Sequence, residues 1–279
     1  MKWDGHTHTS WCGHGSREPT RRFVERALEL GFARYSITEH GPVRPEIGRH
    51  YDADAYSTPP DDVDRCLEEA ATLSDEFAGR IEVLPGLEID YIPGAEEETA
   101  AVIDRYGPRL RDALISIHFL PTAAGYRMID YSPEDLAEGV IAHYGSVTAV
   151  HRAYWEAVSA CVLADFGPHT PRRLGHLGLI WKFRRVHRPE DEGELDPLID
   201  DVLDAIAARG CSIDIDAAGL RNPTCGQTMP PPELLGRARS RGIPFVFGSD
   251  AHAVKHVGWG WDQVRPWLAT GDASDSRVR

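Results

Sequence analysis

The sequence predicts an α/β fold in which seven strand–helix units close into a TIM-like (β/α)7 barrel. Strand-like segments alternate with segments of helical periodicity along the 279 residues, and parallel strands need such crossovers. Seven units in a chain of this length are one short of the common eight-stranded barrel. Possible metal ligands also fall where strands end, which favours a barrel over the alternative, an open doubly wound sheet.

Each element is predicted from its own local pattern. Helix 20–30 has apolar residues at helical spacing and a stop signal at Gly31, and Ser132 with Pro133 begins another helix as N-cap and first residue. The other predicted helices are 61–78, 96–106, 195–206, 232–241 and 261–269, and the region after Ser132 runs to about 165 with a break near Gly145. The predicted strands are a short segment before His6, then 33–38, 81–91, 112–119, 173–177, 211–215 and 244–248.

Composition limits the range of functions. The net charge of −14 argues against binding to a nucleic-acid backbone. Five widely spaced cysteines without a Cys-x-x-Cys pair indicate reduced thiols in a cytoplasmic protein. No apolar run approaches the roughly 18 residues of a membrane span. We therefore expect one domain over residues 1–279 with a small-molecule substrate, and a homo-oligomer is compatible with this composition.

The residues that suggest chemistry begin with His6 and His8. Side chains two apart on a strand point to the same face, so both imidazoles leave the first strand toward a common point. An isolated pair of this kind is more often a hydrogen-bonded surface turn, and the rest of the chain favours the metal site instead. Further possible ligands fall at or just beyond the ends of later strands, and the carboxyl ends of barrel strands meet at one rim. The complete set is His6, His8, His14, His40, Glu88, His118, His176, Asp250 and His252.

This set consists of nitrogen and oxygen donors, which suit Zn, Mn or Fe better than an ion that needs thiolates. One tetrahedral ion needs only three or four ligands, so seven imidazoles and two carboxylates imply two or three divalent metal ions. Cys12 lies between candidate ligands and could be one itself.

Cations also gather near the predicted rim, although the chain is acidic. Lys182, Arg184 and Arg185 closely follow His176, and Arg221 follows the sixth strand. Arginine suits a phosphate group because its planar fork makes paired hydrogen bonds. The alternative for the first three is a solvated run of charge.

Eight pieces of sequence, in order from residue 4 to about 260, resemble the PHP (polymerase and histidinol phosphatase) family, in particular its monofunctional histidinol-phosphatases. The pieces are DGHTHTSWCGHG, ITEHGP, GLEIDYIPG, ISIHFL, IDYSPEDLAEG, LGHLGLIWKF, AGLRNPTCG and GSDAH with VGWG after it. The resemblance implies a distorted (β/α)7 barrel, in agreement with the count of units. One departure is Asp216, where the family pattern leads us to expect Asn.

The resemblance further implies how the metal ligands are shared. One metal would be held by His6, His8, Glu88 and Asp250. Glu88 would bridge to a second metal held by His118 and His176. A third would be held by the remaining three, His14, His40 and His252.

The implied reaction is hydrolysis of L-histidinol phosphate to L-histidinol and phosphate in histidine biosynthesis. A hydroxide held between two metals would attack phosphorus in line with the departing alkoxide. Asp250 would orient this hydroxide or take its proton, and His252 or a metal-bound water would be the general acid. Arg185 or Arg184 is the preferred phosphate ligand, followed by Arg221, with Lys182 also in the binding set. The alternatives are another PHP phosphoesterase and a non-catalytic, metal-stabilised protein.

Overall fold

A computed structural model describes residues 1–191 and 193–268, and its main feature is a seven-stranded parallel sheet. The nine strands described are β1 (Trp3–Asp4), β2 (Arg34–His40), β3 (Glu82–Asp90), β4 (Asp112–Ser116), β5 (Phe119–Thr122), β6 (Gly125–Met128), β7 (Arg173–Leu174), β8 (Ser212–Asp216) and β9 (Phe245–Gly248). The order in the large sheet is β1-β2-β3-β4-β7-β8-β9, and each neighbouring pair is parallel.

The two edges of this sheet meet. The backbone nitrogen of Gly5 donates to the carbonyl of Phe247 at 2.8 Å, and that of His8 donates to Ala251 at 2.8 Å. The predicted (β/α)7 barrel is therefore confirmed. It is distorted because β1 and β7 contain only two residues each.

Helices connect the strands as predicted. They are α1 (Thr20–Glu29), α2 (Pro60–Glu76), α3 (Glu96–Tyr106), α4 (Pro133–Asp135), α5 (Ala142–Tyr144), α6 (Val147–Leu163), α7 (Asp196–Ala208), α8 (Ala218–Arg221), α9 (Pro232–Ser240) and α10 (Trp261–Leu268). Ser132 caps α4 by accepting a hydrogen bond from the backbone nitrogen of Asp135, and Gly145 breaks the helical region in a left-handed conformation. Residue 269, the predicted end of the last helix, lies outside the described residues.

Two parts of the chain differ from the prediction. The strand expected over 112–119 ends at Ser116, and the chain then forms an antiparallel hairpin from β5 and β6. The strand expected over 173–177 is only Arg173–Leu174. Between α4 and α5 the residues Leu136–Ile141 form a π-helical segment. The hairpin and this segment bring the loop containing Asp130 to the carboxyl end of the barrel.

Side chains that alternate along the strands separate an apolar layer under the helices from a polar interior of the barrel. In β2, Tyr35 and Ile37 pack in a hydrophobic cluster with α1 and α2, whereas Ser36 and Thr38 are buried outside the hydrophobic clusters. Because alternate side chains face opposite sides of a strand, the polar pair points into the barrel. Polar groups therefore line the path to the rim, while the apolar contacts that stabilise the fold lie under the helices.

All five cysteines are unpaired and buried, as the prediction of reduced thiols requires. Among the described residues, no helix combines the length and the apolar character needed to cross a membrane. The single domain over 1–279 stays a prediction, since residues 269–279 are outside the described part.

Candidate metal centre

The nine predicted ligands meet at the carboxyl rim of the barrel. His40 is the last residue of β2 and is paired in register with Glu88, two residues before the end of β3. The other seven lie in the segments after β1, β4, β7 and β9. His176 and Asp250 have positive φ angles of 25° and 46°. Such angles are uncommon for residues other than glycine and often occur at functional sites, so the backbone there is bent to aim these two side chains.

Glu88 lies at the centre of the cluster and is 1% exposed. Its Oε1 is 2.8 Å from His176 Nε2 and 3.7 Å from His118 Nε2. Its Oε2 is 3.4 Å from the Nε2 atoms of both His6 and His8. One carboxylate thus faces two groups of imidazoles, one on each oxygen, which is the arrangement of a bridging ligand.

Asp250 completes the group around His6 and His8. Its Oδ1 is 3.3 Å from His8 Nε2 and 3.9 Å from His6 Nε2, and the two imidazole Nε2 atoms are 3.3 Å apart. A tetrahedral ion with bonds of about 2.0–2.1 Å holds its ligand atoms about 3.3–3.4 Å from one another. The His6–His8, His6–Glu88, His8–Glu88 and His8–Asp250 separations match that value within 0.1 Å, so the donor set fits a tetrahedral metal.

Hydrogen bonding supports the same interpretation. Asp214 Oδ2 accepts from His6 Nδ1 at 2.7 Å, and Glu39 Oε1 accepts from His8 Nδ1 at 3.2 Å. With Nδ1 carrying the proton, each neutral imidazole has a lone pair on Nε2. These lone pairs face each other and Glu88 Oε2, which is buried and makes no hydrogen bond. Three acceptors in contact are unfavourable unless a cation or a proton lies between them.

A third group lies at the outer side of the rim. His14 Nε2 is 2.9 Å from His252 Nε2, and His40 Nδ1 is 3.2 Å from Glu88 Oε2. His40 Nε2 is buried without a hydrogen-bond partner. The Sγ atom of Cys12 lies within 4.8 Å of ligand atoms of His8, His40 and His252, so the thiol adjoins this third group, where the sequence allowed a further ligand.

Three carboxylates that orient the imidazoles were not predicted. Besides Asp214 and Glu39, Asp90 Oδ1 accepts from His118 Nδ1 at 2.7 Å. Carboxylates of this kind fix the tautomer and the orientation of a metal-binding histidine. Glu39 and Asp90 could have been singled out by their position, because they lie within two residues of His40 and Glu88. Asp214 offered no such signal, since it lies on a strand that supplies no ligand.

The carboxylates make the cluster strongly attractive to positive charge. Burial opposes protonation of His8, but the hydrogen bonds that His8 donates to Asp250 and Glu39 outweigh it and raise the pKa of His8 to about 9. Burial likewise opposes the charged form of Glu88, yet the charges of His6, His176 and His118 hold its pKa well below the usual range. Glu88 is therefore ionised, and protons occupy positions that a metal ion would take.

A cavity of about 440 Å³ opens beside the cluster, and two of the four predicted cations line it. Lys182 Nζ donates to Asp130 Oδ2 at 3.0 Å. Arg221 donates to the carbonyls of Ser249 and Asp250 at 2.8 and 2.6 Å. Arg184 and Arg185 are not among the described residues that line the cavity.

The preference for Arg185 as the first phosphate ligand is therefore not supported by its position. Its side chain is exposed and donates to the carbonyl of Pro223 at 2.9 Å. Asp216, the departure from the family pattern, is fully buried, and its Oδ1 accepts from the backbone nitrogen of Ala218 at 2.5 Å. Burial, with the charges of Asp250 and Asp214, raises its pKa well above the usual range.

A parallel barrel with nitrogen and oxygen ligands gathered at its carboxyl rim is an architecture of metal-dependent enzymes. The family model of the PHP domain matches residues 4–218, and a PHP-associated model matches residues 235–266. The chain belongs to the PHP domain family. The histidinol-phosphatase of Bacillus subtilis (strain 168) is 33% identical over 262 residues, which cover 94% of this chain and 97% of that protein.

Solved structures agree on the fold. The crystal structure of a candidate histidinol phosphatase from Listeria monocytogenes has a TM-score of 0.89 and 34% identity, covering 94% of this chain and 99% of that one. The histidinol phosphate phosphatase of Lactococcus lactis, crystallised with Zn, L-histidinol and phosphate, has a TM-score of 0.69 and 18% identity, covering 96% of this chain and 92% of that one. The second likeness bears on the fold alone.

Proposed function

We propose that the protein hydrolyses L-histidinol phosphate to L-histidinol and phosphate, as a metal-dependent step of histidine biosynthesis. The observation that carries this proposal is the likeness to the histidinol-phosphatase of Bacillus subtilis along nearly the full length of both chains. The rim cluster is consistent with it, because an oxygen- and nitrogen-rich metal centre suits phosphate ester hydrolysis.

The nine proposed metal ligands fall into three groups according to their mutual distances. His6, His8, Glu88 and Asp250 form the first group, and their spacing fits one tetrahedral ion. Glu88 Oε1, His118 and His176 form the second group, and His14, His40 and His252 form the third. We assign two or three divalent ions to these groups, with Zn, Mn and Fe all compatible with the donors.

The bound ions would supply an activated water as the nucleophile and neutralise the phosphoryl oxygens. Asp250 would orient that water and accept its proton. Burial would raise the pKa of Asp250, but the charges and hydrogen bonds of His252, His8 and His6 hold it well below the usual range. Asp250 is therefore a carboxylate at neutral pH, as a proton acceptor must be. His252 lines the same cavity, but burial and the charge of His8 hold its pKa well below the usual range and leave it neutral, so the departing alkoxide would take its proton from water.

The phosphate group is assigned to the cavity side of the cluster. Lys182 and Arg221 both line the cavity. Lys182 is held there by Asp130, and Arg221 is held by the backbone carbonyl of Asp250. Both cations can donate to phosphoryl oxygens while retaining their bonds within the protein, since an ammonium has three donors and a guanidinium has five.

The test is turnover after reconstitution. Metal-free protein is loaded separately with Zn, Mn or Fe, and phosphate release from L-histidinol phosphate is compared with release from a panel of sugar phosphates, nucleotides and simple phosphomonoesters. We expect the highest kcat/KM for L-histidinol phosphate with at least one metal. A higher kcat/KM for another member of the panel would replace the substrate but keep the phosphatase, and inactivity with every ester would remove both. The cytoplasmic location, the lack of nucleic-acid partners and a homo-oligomeric state stay predictions.

A further inference from the structure

Asp130 is a charged residue of the cavity that the proposed reaction does not use. It lies in the loop between β6 and α4, and a hydrogen bond from the backbone nitrogen of Ile129 to the carbonyl of His118 at 2.9 Å ties this loop to the metal ligands. Asp130 lines the cavity, and its Oδ2 accepts from Lys182. Its other oxygen, Oδ1, is buried and has no hydrogen-bond partner.

A buried carboxylate oxygen without a partner is costly, because it has lost its water and gained no donor in exchange. The carboxylate is nevertheless ionised, since burial would raise the pKa of Asp130 but Lys182, His118 and His176 lower it further than burial raises it. Each carboxylate oxygen has two lone pairs, so Asp130 can keep Lys182 on Oδ2 and accept one further donor from the cavity.

The surroundings of Asp130 indicate what that donor is. Other parts of the cavity wall are apolar, with Met128, Leu179 and Met229 among them. A cation and an anion 3.0 Å apart on such a wall match a ligand that carries both charges on one small skeleton. In L-histidinol phosphate, only two carbon atoms separate the primary amine from the ester oxygen.

We propose that Asp130 binds the protonated primary amine of the substrate, while Lys182 beside it binds the phosphate group, and that this pair makes the enzyme selective for amino-alkyl phosphates. This inference rests on the proposed function and deepens it, because it names the residue that recognises the amine. Asp130 is a specificity-determining residue in this scheme, since no bond is made or broken at its carboxylate.

The test compares Asp130→Asn with the unmodified enzyme on three esters. L-Histidinol phosphate carries amine and imidazole, O-phosphoethanolamine carries only the amine, and imidazolylpropyl phosphate carries only the imidazole. Loss of a hydrogen bond between charged groups is expected to lower kcat/KM about 10- to 100-fold for the two esters that carry an amine, L-histidinol phosphate and O-phosphoethanolamine, mainly by raising KM. The value for imidazolylpropyl phosphate should stay within about twofold.

Other patterns would overturn the inference. An equal loss on all three esters means that Asp130 only positions Lys182, and a loss confined to the two imidazole compounds means that it binds the ring. The matched control is Glu134→Gln, which removes a negative charge from an exposed neighbour that is outside the described lining of the cavity, and it should change none of the three values.

Two further measurements keep the test decisive. Melting temperature and metal content establish that Asp130→Asn is folded and loaded, and Asp130→Ser gives the same comparison if the first variant is not. If O-phosphoethanolamine turns over too slowly to measure, calorimetric binding of L-histidinol and of its analogue without the amine replaces it. The proposed function is judged on the unmodified enzyme alone, so its failure is distinct from failure of the Asp130 assignment.

Discussion

Replacement of the central carboxylate, Glu88→Gln, should remove most of the bound metal and most of the activity. The variant keeps the shape of the side chain but removes the charge that faces His6, His8, His118 and His176 at distances of 2.8–3.7 Å. The residue is 1% exposed, so water cannot replace the lost ligand without rearrangement.

The magnitude follows from the burial of this charge. Removing one member of a buried charge pair costs about 3–5 kcal/mol, which corresponds to roughly 10²- to 10⁴-fold weaker metal binding. Metal content after dialysis against a series of chelators, measured by mass spectrometry, gives the affinity. Phosphate release from L-histidinol phosphate is followed on the same samples.

The control is Glu194→Gln, which removes an exposed carboxylate paired with Arg152 at 2.6 Å. A surface pair of this kind contributes about 0–1 kcal/mol, so metal content and turnover should not change. If Glu88→Gln retained its metals through the same chelator series and turned over at near the normal rate, Glu88 could not be a bridging ligand.

Three further predictions concern the same centre. Asp90→Asn should weaken metal binding about 10- to 100-fold, because Asp90 orients His118; unchanged chelator resistance would contradict this. Metal binding should release protons and should tighten as pH rises from 6 toward about 9. Burial opposes protonation of His8, but Asp250 and Glu39 raise its pKa to about 9, and a bound metal must displace that proton. Calorimetry in buffers of different ionisation enthalpy counts the released protons, and heats that do not depend on the buffer would contradict this prediction. Lys182→Ala should raise KM for L-histidinol phosphate about 10-fold or more through loss of a charged hydrogen bond, whereas Arg185→Ala should leave it unchanged; the opposite result would restore Arg185 as the phosphate ligand.

The stereochemistry at phosphorus tests the single displacement. Direct attack by water in line with the leaving alkoxide inverts the configuration of a chiral phosphate ester. We expect inversion, measured by analysis of isotopically chiral phosphate product. Retention would require an even number of displacements and hence a covalent enzyme intermediate, for which the mechanism has no assigned nucleophile.

Local patterns in the sequence were sufficient for most of the elements and for the set of residues that gathers at the rim. Helix signals such as Gly31 and Ser132 act within a few residues, so the ends of α1 and α4 could be placed without knowledge of the fold. The ligands could be grouped because parallel strands bring all their carboxyl ends to one rim. Residues as far apart as His6 and Asp250 were therefore expected to meet, and they do.

Only the tertiary structure decided which side chains turn into the cavity and which partners orient the ligands. Arg185 and Lys182 are three residues apart in one segment, yet one donates to Pro223 at the surface and the other lines the cavity. The pairings of Asp214 with His6 and of Asp90 with His118 depend on strand register and on rotamers, which are selected by packing between elements distant in sequence. The sequence determined which groups reach the rim, because backbone direction is encoded locally, whereas their orientation there depends on the complete set of neighbours.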